Sequence, residues 1–164
     1  MTLRFSHSEH TPVYSKASAD EIGRVTRYVV DAAHQRVAAV HVAGRKQRAL
    51  FADWANVVGF GPDAVVVDDE DHLRSPRGDY ENKIAAGHLD LQGRRVLTDA
   101  GFDVGVLVDV EFDEHTGTLT LLETDRARVA GDGLIAIGRY AVIVQQSAVN
   151  APEAVTPPEA PPPV

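Results

Sequence analysis

His7 and His10 flank Glu9, so two imidazoles and a carboxylate fall within four residues, ligand types that suit zinc or nickel. A structural metal site needs about four donors held by a scaffold, and no third or fourth partner is evident for this N-terminal pair, so no metal or other cofactor is expected. Gly59-Phe60-Gly61-Pro62-Asp63-Ala64 has the lettering of a dinucleotide fingerprint. The next residues, Val65-Val66-Val67, read as a strand where pyrophosphate needs a helix N-terminus, so a turn is expected instead. The chain has no cysteine and no Gly-x-Ser-x-Gly elbow, and His34, His41, His72, His88 and His115 are isolated in sequence. No catalytic set is carried by any motif, and the expectation is a non-enzyme.

Carboxylates and aromatics are the other candidates. Asp109, Glu111 and Asp113 alternate along a strand pattern, so they share one face and form a negative stripe. The stripe reads as a solvated outer face, or as a docking surface for a basic partner or a divalent cation, since like charges at this spacing are relieved by a cation or by arginines. Trp54, the single tryptophan, is flanked by Phe51 and Phe60. It reads as a filler at one end of a small barrel or, if exposed, as an interface anchor. Trp54, Phe51, Asp109, Glu111 and Asp113 are therefore the candidate interaction surface. Arg77-Gly78-Asp79 is taken as a chance match, and the bare P-x-x-P spacing of Pro158 to Pro161, with no adjacent basic residue to help it dock, is read as part of a flexible, solubilising tail.

The element expected to position these groups is the hairpin from Gly105 to Glu123. Val106, Val108, Val110 and Phe112 alternate with Leu107, Asp109, Glu111 and Asp113, the pattern of a strand with the valine and phenylalanine face buried. Asp113-Glu114-His115-Thr116-Gly117 supplies a turn ending on a glycine, and Thr118 to Leu122 returns. The segment from Ile22 lays on the segment from Val104 without a gap, pairing Gly23 with Gly105, Asp31 with Asp113, Val30 with Phe112 and Val37 with Leu119. A second block, Val57 to Val67, matches Leu134 to Val144. The chain is thus an internal repeat, with Gln35 standing where the second copy has Gly117, so the first hairpin is expected to be less regular.

This reading divides the chain into a flexible N-terminus over 1–12, a first unit over 13–67, an acidic and mixed linker over 68–82, a second unit over 83–146, and a disordered proline-rich tail over 147–164. Short helical turns are expected only near Ala52–Asn56 and Lys83–Leu89. Of the 164 residues, 44% are hydrophobic and 24% charged, a composition with enough apolar content for a packed core. The net charge of −8 disfavours direct binding to nucleic acid or anionic lipid, because both need a basic surface. No run approaches a membrane span and no signal peptide is evident, so a cytoplasmic protein is expected.

The residues Gly105, Val108, Asp109, Val110, Phe112, Asp113, Thr116, Gly117, Ile137, Gly138, Ala141, Val142 and Val144 carry a resemblance to the PRC-barrel domain. The first copy matches through Gly23, Val30, Asp31, Gly61, Ala64, Val65 and Val67. The resemblance implies an all-β fold of two small PRC-type barrels in tandem, most like the stand-alone bacterial members, and a role in protein contact without catalytic residues. The function expected is a protein–protein adaptor, with the barrels pairing within the chain or across a homodimer. The alternatives are an accessory factor in ribosome or RNA maturation, suggested by one branch of the family, and a small-molecule-binding barrel.

Overall fold

The computed structural model describes residues 2–44, 49–88 and 90–150. Most of the expected disordered tail, 151–164, lies outside the described residues. In chain order the elements are β1 (Thr2–Arg4), α1 (Phe5–Ser8), β2 (Pro12–Ser15), β3 (Glu21–Asp31), β4 (Arg36–Gly44) and β5 (Ala49–Asp53). A 3-10 turn at Trp54–Asn56 leads to β6 (Val57–Phe60) and β7 (Val65–Val67), and α2 (Gly78–Ala85) comes next. The rest is β8 (Arg95–Thr98), β9 (Asp103–Asp113), β10 (Leu119–Thr124), β11 (Arg128–Ala130), β12 (Leu134–Ile137), β13 (Ala141–Val144) and β14 (Val149–Asn150). Strands carry the fold and both α-helices are short, which is the all-β class expected.

The strands form two sheets. One has the order β6-β7-β2-β3-β4-β5; the other has β12-β13-β8-β9-β10-β11, extended by β14 and with β1 added to β9. Position for position the two orders are the same, down to the one parallel pair in each, β2 with β7 and β8 with β13. Among the described residues neither order closes on itself. The repeat reaches finer detail. The long hairpins, β3–β4 and β9–β10, each carry two register shifts, which leave Thr26 and Ala38 extra in the first and Val108 and Thr120 extra in the second. These are equivalent positions under the spacing that aligns Gly23 with Gly105.

A bulge adds one residue and reverses which side chains face the core. This corrects the strict alternation read for β9. Val110 and Phe112 are buried as expected, but before the bulge the inward residue is Leu107, and Val106 and Val108 face outward at 40% and 51% exposure.

The repeated identities have structural causes. A Cβ on Gly23 would collide with the Ala43 carbonyl oxygen, and one on Gly105 would collide with Asp125 Oδ1. Asp31 and Asp113 hold the two hairpin turns: Asp113 Oδ1 accepts from the backbone N–H of His115 at 2.8 Å and Thr116 at 3.0 Å. Those two bonds favour the carboxylate and hold Asp113 below the usual carboxylate range. Asp31 accepts from His34 N–H at 3.3 Å and meets His34 Nδ1 at 2.7 Å.

The hairpin tips also join the two sheets. Val37 N–H donates to the Gly117 carbonyl at 2.8 Å, and Leu119 N–H donates to the Gln35 carbonyl at 2.9 Å, around an antiparallel bridge of Arg36 with Thr118. Arg36 meets its own repeat counterpart, Thr118, and the Val37-to-Gly117 bond is the counterpart of the Leu119-to-Gln35 bond, the reciprocity that a local two-fold axis generates. One hydrophobic cluster then spans both copies, from Val25, Val30 and Val65 in the first to Val96, Leu122 and Val142 in the second. At its centre Phe112 touches Phe5, Tyr28, Trp54 and Phe60, with ring centroids 5.3–6.1 Å apart.

The lead-in segments cross over. Residues 2–8, expected to be flexible, form β1 on β9 of the second copy and place Leu3 and Phe5 in the core, Phe5 stacked on Tyr28 at 3.9 Å. The apolar alternation of Leu3 and Phe5 drives this, although it is too short to register as a strand. The end of the expected linker, 78–82, is the start of α2, which continues into the expected second unit and whose Ile84 is buried against Val29, Ala39 and Phe51 of the first sheet. Arg74 fixes it, donating to Asp53 at 2.9 Å and through both terminal nitrogens to Glu81, at 2.5 and 2.8 Å. The folded part also runs past Gln146, because β14 pairs with β11.

Ala19, in the turn between β2 and β3, has φ +60, the left-handed region that disfavours a side chain. We expect Ala19→Gly to stabilise the chain by about 0.5 kcal/mol, the relief of strain outweighing the extra freedom of glycine when unfolded. A urea titration checks this, and a lower midpoint would contradict it.

Candidate functional site

The outer face of the second sheet is where the predicted site residues and the exposed apolar residues meet. After the bulge, Asp109, Glu111 and Asp113 do share a face, as the alternation requires. They are not a free stripe. The N-terminal segment lies over them, and Arg4 Nη2 pairs with Glu111 at 2.8 Å while Nη1 pairs with Glu123 at 2.7 Å and lies 3.7 Å from Asp109. The hydrogen bond to Glu123, with the nearby carboxylates, pushes the Arg4 guanidinium further up. Asp109 is buried; it accepts from Ser6 N–H at 3.1 Å, from the Ser6 hydroxyl, and from Val110 N–H at 2.9 Å. The basic partner that such a stripe calls for is the chain's own arginine. Asp113 is engaged in its own hairpin turn.

Phe51 is fully buried beneath α2, so it too lies outside any surface offered to a partner. Trp54 is half-buried at the junction of the copies. Its ring stacks near Phe60 at 5.9 Å and covers Gly117, where a Cβ would come within 2.9 Å of the ring. It therefore fills space between the two hairpins rather than one end of a single barrel. At the symmetry-related place the pair is inverted. Gly131 stands in the position of Trp54, and Gln35 in that of Gly117, with its side-chain amide donating to the Leu134 carbonyl at 3.1 Å. Gln35 takes φ +47, so the first hairpin keeps the left-handed turn without a glycine.

The rest of the outer face is uncovered. Val106 and Val108 point out of the second sheet, and Phe102 in the preceding turn is 62% exposed. The first copy has Arg24 and Thr26 at the positions of Val106 and Val108. The apolar side chains are thus a departure from the repeat, placed where no core needs them.

Other sequence candidates resolve simply. Gly61 N–H donates to Ala64 O at 3.0 Å and Gly138 N–H to Ala141 O at 2.8 Å, so both glycine motifs are turns between strands. Among the described residues no group of three or more histidine, aspartate or glutamate side chains is placed to hold a metal ion. None of the described helices is long and apolar enough to cross a membrane. Sequence reading misses the cluster of Arg94, Arg95, Arg139 and Tyr140, which lines a groove of about 660 Å³. The parallel pairing of β8 with β13, Arg95 opposite Ala141, brings these distant residues together, and nothing in the local sequence signals it.

One buried polar group lies outside this face. His41 is buried against Phe51, with Nδ1 on the Thr26 hydroxyl and Nε2 without a partner among the described residues. Burial, and then the charge of Arg27, pushes its pKa below the ordinary histidine value of 6.5. In the window between the two values the unfolded chain carries a proton that the folded chain does not, so stability falls as pH drops through 6.5. We expect the urea midpoint to decline over that window and the decline to shrink in His41→Gln; an equal slope in the variant would contradict this.

No family model matches the chain, and no curated protein matches it.

Proposed function

We propose that the chain is a tandem PRC-barrel-type protein acting as a non-enzymatic adaptor, which binds a protein partner through the outer face of its second copy. The observation that carries this reading is the outward pair Val106 and Val108, at positions where the first copy has Arg24 and Thr26. Apolar side chains left in water on one sheet face, where no core needs them, are a mark of protein interfaces. The contacts elsewhere support it as well: Ile84 of α2 packs on Val29, Ala39 and Phe51 of the first sheet, and the N-terminal segment engages Asp109 and Glu111 of the second, while Val106 and Val108 stay exposed.

Size-exclusion chromatography with light scattering, followed by affinity purification from the source cells, tests the proposal. A dimer or a co-purifying protein that is lost in Val106→Lys/Val108→Lys supports it. A strict monomer with no co-purifying protein counts against it.

A further inference from the structure

The groove between the β8 entry and the β12–β13 turn reverses the charge of the molecule. The whole chain has 24 acidic residues against 16 lysines and arginines. The groove is lined by Arg94, Arg95, Arg139 and His88, with Asp90 as its one carboxylate. Asp90 is already engaged, because Arg27 Nε donates to its Oδ1 at 2.8 Å. The groove's cations are therefore poorly compensated from within.

Arg94 and Arg139 keep their charge available, and Arg95 shares a carboxylate with another arginine. Arg94 Nε donates to the Asp90 carbonyl at 2.7 Å and its Nη1 to the Gly138 carbonyl. Neutral backbone oxygens fix the guanidinium without cancelling it, so it is preorganised for an anion. Arg139 has no carboxylate partner among the described residues; its guanidinium lies 5.6 Å from the Tyr140 ring centroid. Arg95 reaches Asp103 only at 3.4 Å, and Asp103 is shared with Arg126 at 3.0 Å. Tyr140 is 80% exposed, which leaves most of its ring open for stacking, and Val106 and Leu97 give the groove an apolar wall. A volume of about 660 Å³ is in the range of small-ligand sites.

From these features we propose that the groove binds a phosphorylated small molecule with a planar ring, of the nucleoside-diphosphate class. The arginines take the phosphates and Tyr140 stacks on the ring. The first copy cannot do this at the equivalent place, because Pro62 and Asp63 stand where the second has Arg139 and Tyr140. The groove shares Val106 with the adaptor face, but the inference rests on the cations and the ring, and the variants that test it leave Val106 in place.

Isothermal titration of the full chain at low salt with ADP, inorganic pyrophosphate and adenosine tests it. ADP is expected to bind most tightly, pyrophosphate less so, and adenosine least. Arg139→Ala removes an exposed side chain that no fold contact needs, and it should weaken ADP and pyrophosphate about tenfold, the loss of one charge-assisted contact. Tyr140→Ala should weaken ADP and leave pyrophosphate unchanged. Lys16→Ala, an exposed cation in the turn between β2 and β3 and outside the groove, should leave both unchanged. Failure of ADP and pyrophosphate to bind, an unchanged affinity in Arg139→Ala, or an equal loss in Lys16→Ala would overturn the site. Equal affinity for ADP and pyrophosphate would overturn the stacking role of Tyr140.

Discussion

Phe112→Ala is expected to destabilise the chain by about 3–5 kcal/mol, the usual cost of emptying a buried phenylalanine site. Phe112 is fully buried, and it is the ring on which the lead-in segment, the first copy and the Trp54 turn converge through Phe5, Tyr28, Phe60 and Trp54. Four neighbouring rings cannot all move into the space, so much of the cavity persists. Against a typical total of about 5–15 kcal/mol, that loss is a large fraction of the stability. The effect should reach both copies, because the cluster belongs to both. Urea denaturation followed by Trp54 fluorescence reads the loss directly. Phe102→Ala is the control; that ring is 62% exposed, and its removal should change the midpoint little. A loss below about 1 kcal/mol for Phe112→Ala would mean that the aromatic cluster does not join the copies.

Asp109→Ala should cost about 2–4 kcal/mol and release the N-terminal segment. The carboxylate satisfies Ser6 N–H, the Ser6 hydroxyl and Val110 N–H in a buried place, and it lies beside Arg4. Alanine leaves those donors without an acceptor and Arg4 with two carboxylates instead of three. The released segment exposes the bond after Arg4, so trypsin cleavage there should accelerate together with the fall in stability. Asp71→Asn, an exposed carboxylate in the turn at 70–72 with no contact to the N-terminal segment, should leave the cleavage rate unchanged. Unaltered cleavage in Asp109→Ala would show that the segment is held by Leu3 and Phe5 alone.

The repeat is legible in the sequence because its signals are local. Gly23 with Gly105 and Asp31 with Asp113 are fixed by atoms packed where a Cβ would stand and by turn hydrogen bonds, and such needs leave their mark on residue type. The bulges are not legible. Thr26, Ala38, Val108 and Thr120 have no chemistry that announces an extra residue, and the bulge at Val108 reverses the assignment of Val106, Leu107 and Val108 to the two faces. The crossing of the lead-in segments is invisible for a related reason: three residues of β1 are too few for a period, and their partner on β9 is far away in the chain. The same distance hides the capture of the acidic stripe by Arg4. Phe51 reads as a surface candidate from its neighbour Trp54, but the side chains alternate along β5, and α2 supplies a second buried face that a single-core picture lacks. Arg94, Arg139 and Tyr140 belong to turns on different strands, joined only by the parallel β8–β13 pairing.

The central structural claim is that two copies related by a local two-fold share one core and behave as one body. Native-state hydrogen exchange of the amides of Val25 and Val30 in β3, against those of Leu107 and Phe112 in β9, tests it most directly. One common opening free energy, lowered equally at all four positions by Phe112→Ala, is the predicted result. Two separate opening free energies, with Phe112→Ala lowering only those of β9, would contradict it.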